Sequence, residues 1–172
     1  MGRRFSAAVL SSFVLLALTG CTTLESMNPF ARKGVQMAEL QSIKASVDAR
    51  VLWRENVGKS DTYALRPAVV GSAVYAAGKD GNLIRLDDGK LVWKINAGQT
   101  LSGGVAADRR MVVVGSPKGD ILAFDSADGK LMWSAKATSE IISPPAIGEG
   151  MVVVRSGDNR LAAYDAADGK RK

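Results

Sequence analysis

The stretch "FDSADGKLMW", Phe124 to Trp133, decides the fold, because the chain writes it more than once. "LDDGKLVW" (Leu86 to Trp93) is the same phrase with two residues removed, and "YDAADGK" (Tyr164 to Lys170) begins it again. Each version places an apolar run ahead of an Asp-Gly-Lys turn, and the first two close on a tryptophan. Trp53, Trp93 and Trp133 stand 40 residues apart, as do Gly89, Gly129 and Gly169, and a lysine follows each of these glycines. Self-similarity at a fixed period of this size marks stacked supersecondary units, each too small to bury its apolar face alone.

One unit reads as four short strands: in the second repeat these are 103–107, 111–115, 120–124 and 131–135. Asp-Gly dipeptides at 80–81, 88–89, 128–129 and 168–169 supply residues that tolerate positive φ, as tight hairpins require. A unit of about 40 residues with four antiparallel strands has the size of a propeller blade. The rival, a parallel β-helix, has shorter coils and lacks repeated hairpin turns. The expected fold class is all-β. Eighteen glycines, 6% aromatic residues and 47% hydrophobic content agree with a turn-rich chain that can still bury a core.

"AFDSADGKLMW" (Ala123 to Trp133) resembles the Ala-x-Asp-x-x-x-Gly-Lys-x-x-Trp signature of pyrroloquinoline-quinone-type (PQQ-like, quinoprotein) propeller repeats. "AYDAADGK" (Ala163 to Lys170) matches its first eight positions, and "RLDDGKLVW" (Arg85 to Trp93) departs by an arginine for alanine and the shorter turn. The resemblance implies that Trp53, Trp93 and Trp133 pack against glycine turns of neighbouring blades, with Gly89, Gly129 and Gly169 as repeat-structural residues rather than cofactor contacts. Blades are expected at 64–97, 102–137 and 142–172, the third incomplete. The next tryptophan in register falls at position 173, one beyond Lys172. A ring of eight blades, usual in this family, takes roughly 370 residues. The chain therefore reads as C-terminally truncated: an incomplete arc of two blades plus three strands of a third, with open sheet edges.

Ahead of the repeats, residues 1–20 read as an export signal. Arg3 and Arg4 precede an apolar stretch, Ser6 to Leu18, that is short for a membrane span. "LTGC", Leu18 to Cys21, resembles the lipobox of bacterial lipoproteins. That resemblance implies cleavage between Gly20 and Cys21, with an S-diacylglycerol and an N-palmitoyl group on Cys21, the chain's single cysteine. "MGRRFS" also fits a loose myristoylation pattern, which an export segment should not follow, and the Arg pair fits twin-arginine export poorly. Cys21 as a stray small apolar residue is the plain alternative. Acylation anchors the chain without spanning, since each buried CH₂ contributes about 0.8 kcal/mol and several acyl chains hold where one does not. Thr22 is not the aspartate that resembles an inner-membrane retention signal, so the periplasmic side of the outer membrane of a Gram-negative cell is expected.

Residues 21–42 form the lipidated N-terminus and tether. From Ile43 to Trp53 apolar and polar residues alternate, so 43–57 is expected to be a strand closing the ring, although Leu40, Ile43 and Val47 would also suit one helix face. Removing Arg3 and Arg4 with the leader lowers the net charge from +6 to +4. The remaining basic residues are scattered through turns with no interleaved aromatic platform, which gives no support to nucleic-acid binding.

Signal, lipobox, tether and PQQ-like blades in this order resemble the assembly-factor lipoproteins of the outer-membrane β-barrel assembly (BAM) machinery. The resemblance implies a non-enzymatic scaffold that docks on the periplasmic domains of the barrel-inserting subunit and assists folding and insertion of outer-membrane proteins. It implies no cofactor and no metal. Two other classes use the same blades: PQQ-dependent dehydrogenases and periplasmic ligand-binding or sensor propellers. The chain has no histidine, which removes Ser-His and Cys-His catalytic pairs and His-bearing zinc sites. Asp125, Asp128, Asp165 and Asp168 recur with the repeat, which marks them as turn formers rather than a unique catalytic acid.

Overall fold

The computed structural model of the chain describes residues 38–44 and 46–172. The chain divides into two compact units, Met1–Asp48 and Ala49–Lys172. The described residues of the first carry no helix or strand. The second is built of strands and turns in three consecutive sheets.

The first blade is the four-stranded meander β2 (Ala68–Val70), β3 (Ala73–Ala77), β4 (Asn82–Asp87) and β5 (Lys90–Asn96). The second comprises β6 (Gly103–Ala107), β7 (Met111–Gly115), β8 (Asp120–Asp125) and β9 (Leu131–Lys136), with the two-residue β1 (Ala64–Leu65) added parallel to β6. The third has β10 (Ala146–Gly148), β11 (Met151–Arg155) and β12 (Leu161–Asp165). Arg171 already bridges Tyr164, and the Lys172 N–H donates to the Ala163 carbonyl (2.9 Å). The second blade's strands fall within one residue of the bounds read from the repeat. The outcome is an incomplete PQQ-like β-propeller: two four-stranded blades and three strands of a third.

Apolar periodicity tells which strands are covered on both faces. β7, "MVVVG", is buried at every position. Val112 and Val114 belong to a core shared with the first blade (Ala73, Tyr75, Leu83, Trp93). Met111 and Val113 belong to a second core shared with the third blade (Ile141, Val152, Val154, Tyr164). An uninterrupted apolar run thus serves a sheet packed between two others, each full burial stabilising by about 1.5–3 kcal/mol. β11 carries the same "MVVV" but buries only Val152 and Val154.

The turns follow their sequences. In the first blade Asp88 and Gly89 both have positive φ (46° and 76°) and close a two-residue hairpin between Asp87 and Lys90, as a primed turn demands. The longer turns instead have positive φ only at Gly129 and Gly169.

Two sequence expectations are corrected. Among the described residues of 43–57 there is no strand. Val51 and Leu52 are exposed, and none of the described strands pairs with this segment, so its period-two alternation does not become a ladder. The range 64–97 does not coincide with the first blade either, because Ala64 and Leu65 pair with Gly103 and Gly104 of the second. A two-residue parallel strand leaves no periodic signal to read.

Candidate functional site

The structure places the three tryptophans on three glycine turns. A Cβ on Gly169 would lie 2.6 Å from Cε3 of Trp133, one on Gly129 3.2 Å from Cε3 of Trp93, and one on Gly89 2.5 Å from Cδ1 of Trp53. Only a residue without a side chain lets the ring lie this close to the turn. Trp93 and Trp133 also anchor their indole N–H, on the carbonyls of Ser126 (3.1 Å) and Ala166 (3.0 Å) in the following blade. Both are nearly buried, whereas Trp53 is 45% exposed. Trp93 and Trp133 lie in the paired strands β5 and β9 and Trp53 lies in none, and the shortened first turn lacks the residue that supplies this carbonyl in the other repeats.

The turn aspartates serve their own loops. Asp125 Oδ1 accepts from the Ala127 N–H (2.7 Å) and Asp165 Oδ1 from Ala167 (2.8 Å), while Asp128 and Asp168 accept from Lys130 and Lys170 at 3.0 Å each. The lysine ammonium groups two residues on hold Asp128 and Asp168 below the usual carboxylate range, and the Ala167 N–H followed by Lys172 does the same for Asp165. Such carboxylates are depressed, ionised and committed, the opposite of a poised general base. Among the described residues no group of three metal-ligating side chains occurs. Gly20 and Cys21 lie outside the described residues.

Three residues that sequence reasoning did not single out join the blades. Arg85, in the slot that the signature gives to alanine, donates to the Ser126 carbonyl (3.0 Å) and to Asp87 (3.1 Å), with its guanidinium 5.9 Å from the Tyr75 ring centre. The Tyr164 hydroxyl donates to the Lys136 carbonyl (3.0 Å), and burial pushes its pKa up. Ser102, fully buried, donates to the Ile141 carbonyl (2.5 Å). Arg85 was visible as a departure from the repeat; nothing in the sequence distinguishes Tyr164 and Ser102 from ordinary strand and linker residues.

In an up-and-down sheet the first hairpin and the last turn lie at the same end of each blade. On that rim an open groove of about 460 Å³ lies between the second and third blades, bounded by Arg109, Arg110, Asp125, Met132 and Ala167. The equivalent hairpin tips are Gly71-Ser72 in the first blade and Glu149-Gly150 in the third.

A family model described as "Outer membrane protein assembly factor BamB" matches residues 80–172. The chain belongs to the BamB family. It is 37% identical over 126 residues to BamB of Bordetella pertussis (strain Tohama I), covering 72% of this chain and 31% of that one. With BamB of Nitrosomonas eutropha it shares 33% over 137 residues, 73% of this chain and 33% of the relative. The chain therefore spans about a third of the length of these curated relatives. The solved BamB of Moraxella catarrhalis superposes with a TM-score of 0.60 at 23% identity, over 64% of this chain and 34% of that one, a likeness of fold. A quinohemoprotein alcohol dehydrogenase, ADHIIG of Pseudomonas putida HK5, superposes with a TM-score of 0.54 at 27% identity, over 61% of this chain and 19% of that one.

Proposed function

We propose that this chain carries the anchor and first blades of a non-catalytic scaffold lipoprotein that assists outer-membrane β-barrel proteins to fold and insert. The observation that carries this reading is membership of a family whose relatives bear the name outer membrane protein assembly factor. The turn aspartates, spent on backbone and lysine partners, favour a scaffold over an acid–base catalyst. In this reading residues 1–20 are the signal peptide, residues 21–42 are the lipidated tether, and Cys21 holds the protein on the periplasmic face of the outer membrane. The partner is the barrel-inserting subunit of the BAM complex, through its periplasmic domains.

Crosslinking of the membrane-anchored protein in cells, followed by identification of the captured chains, tests the reading. Capture of a barrel-inserting outer-membrane protein supports it, and capture of none overturns it. Cys21→Ser should leave full-length precursor at the inner membrane without incorporated palmitate, because the diacylated cysteine is what the lipoprotein peptidase cleaves before. Normal processing and lipid labelling of that variant would exclude the anchor. The fold shared with the alcohol dehydrogenase favours one other reading, a piece of a quinone-dependent dehydrogenase. Saturable quinone binding with dye-linked alcohol oxidation in the presence of Ca²⁺ would establish it.

A further inference from the structure

The tip of the β6–β7 hairpin differs from its two equivalents in charge and in construction. The first and third blades close this hairpin with positive-φ residues, Gly71 in one and Glu149 with Gly150 in the other. In the second blade neither Arg109 nor Arg110 takes positive φ, because Asp108 organises the turn: its Oδ1 accepts the N–H groups of Arg110 and Met111, both at 2.8 Å. An aspartate opening a turn in this way allows long side chains at the tip, where positive φ would favour glycine. The hairpin is then tied to the neighbouring turn. The Ser126 hydroxyl donates to the Arg109 carbonyl (2.8 Å) and the Ser126 N–H to the Arg110 carbonyl (3.0 Å). Two exposed guanidinium-bearing residues are thus carried on a backbone fixed from both sides.

Neither arginine forms an ion pair among the described residues, whereas Lys130, Lys170 and Lys172 in and beside the turns at the same end do. Asp125 lines the same groove, but this one carboxylate, already accepting from Ala127, stands against two cations, so the lining keeps an excess of one positive charge. Beside them the groove is apolar: Ala127, Ala167 and Met132, the last 42% exposed. Arginine next to exposed methionine is the composition of a protein-binding surface, and guanidinium groups match carboxylates in fork-to-fork geometry. We propose that this groove docks an extended acidic segment of a partner protein, with carboxylates on Arg109 and Arg110 and an apolar side chain against Met132 and the two alanines. The excess positive charge calls for an anion, and the apolar floor beside it favours a polypeptide over a phosphate group alone. The inference rests on the scaffold reading only for the natural source of that segment.

The test uses the chain and a fluorescein-labelled peptide alternating leucine with glutamate and aspartate. Saturable binding is expected, weakened about tenfold by Arg109→Glu with Arg110→Glu and reduced between 0.05 and 0.5 M salt as screening shortens the reach of exposed charges. Met132→Ser should weaken it independently. All three positions are exposed, so a circular dichroism spectrum matching wild type is expected of each variant. Peptide affinity unchanged by the charge reversal overturns the proposal. So does equal binding of a lysine-containing peptide, or binding of phosphatidylglycerol vesicles or inorganic phosphate in its place. Loss of peptide binding in a charge-reversed protein that still crosslinks to a barrel-inserting protein would support this groove while assigning the main contact elsewhere. Retained peptide binding with no crosslinked partner would support the groove while removing the scaffold function.

Discussion

Glycine acts in two ways in this chain, and a pair of substitutions separates them. Gly98 and Gly169 have nearly the same positive φ, 71° and 72°, yet a Cβ on Gly98 meets nothing within 4 Å whereas one on Gly169 runs into Trp133. Gly98→Ala should therefore cost only the left-handed backbone penalty, about 1–2 kcal/mol. Gly169→Ala should lose about 1–3 kcal/mol more, since the indole must leave its seat. Urea denaturation followed by circular dichroism measures both, and equal losses would mean that the tryptophan does not rest on the turn. The 40-residue register made the Trp–Gly pairing legible in the sequence. The indole N–H bond was not legible, because its acceptor is a backbone carbonyl that any residue supplies, alanine at 166 and serine at 126.

Identical strands acquire different value from their neighbours. Val113 and Val153 occupy the same position of "MVVV" in the second and third blades; Val113 is fully buried, whereas Val153 is only partly so. Val113→Ala should cost about 2 kcal/mol through lost contacts and a residual cavity. Val153→Ala should cost under about 1 kcal/mol, close to a surface change. A cost at Val153 as large as that at Val113 would show the third blade's free face to be covered in solution. Tyr164→Phe removes one hydrogen bond from the third blade to the second and should cost about 1 kcal/mol, leaving Lys136 without that donor. Strand positions in the second blade were readable because hairpin turns bracket them on both sides. The segment 43–57 alternates as well as any strand, but alternation reports only a capacity for one-sided burial. Pairing is decided by a partner strand elsewhere in the molecule, and none of the described strands takes up this segment.

At the scale of the molecule, net charge and the absence of histidine govern its response to acid. Asp120 is held low chiefly by Lys136, with Ser116 adding to it; Asp128 and Asp168 are held low by lysines, and Asp165 by a backbone N–H and a lysine. A carboxylate whose folded pKa is depressed contributes stability above its unfolded value, near 4, and loses that contribution as pH falls through the folded pKa. Each group is exposed enough for solvent to screen it, so no single one dominates. Asp128 and Asp168 recur with the repeat, Asp120 belongs to the second blade alone and Asp165 lies in the third, and the losses of all four fall in the same pH window. The melting temperature should therefore stay level from pH 7 to about 4.5, with no transition near pH 6.5 because no imidazole titrates there, and should fall progressively below pH 4. Thermal melts followed by circular dichroism at 0.5-unit pH steps test this. The acid drop should shrink in Asp120→Asn, which keeps the shape of the side chain while removing its charge. A melting temperature that already declines between pH 7 and 5, or an acid drop indifferent to Asp120→Asn, would place the pH sensitivity outside these turn and strand-end carboxylates.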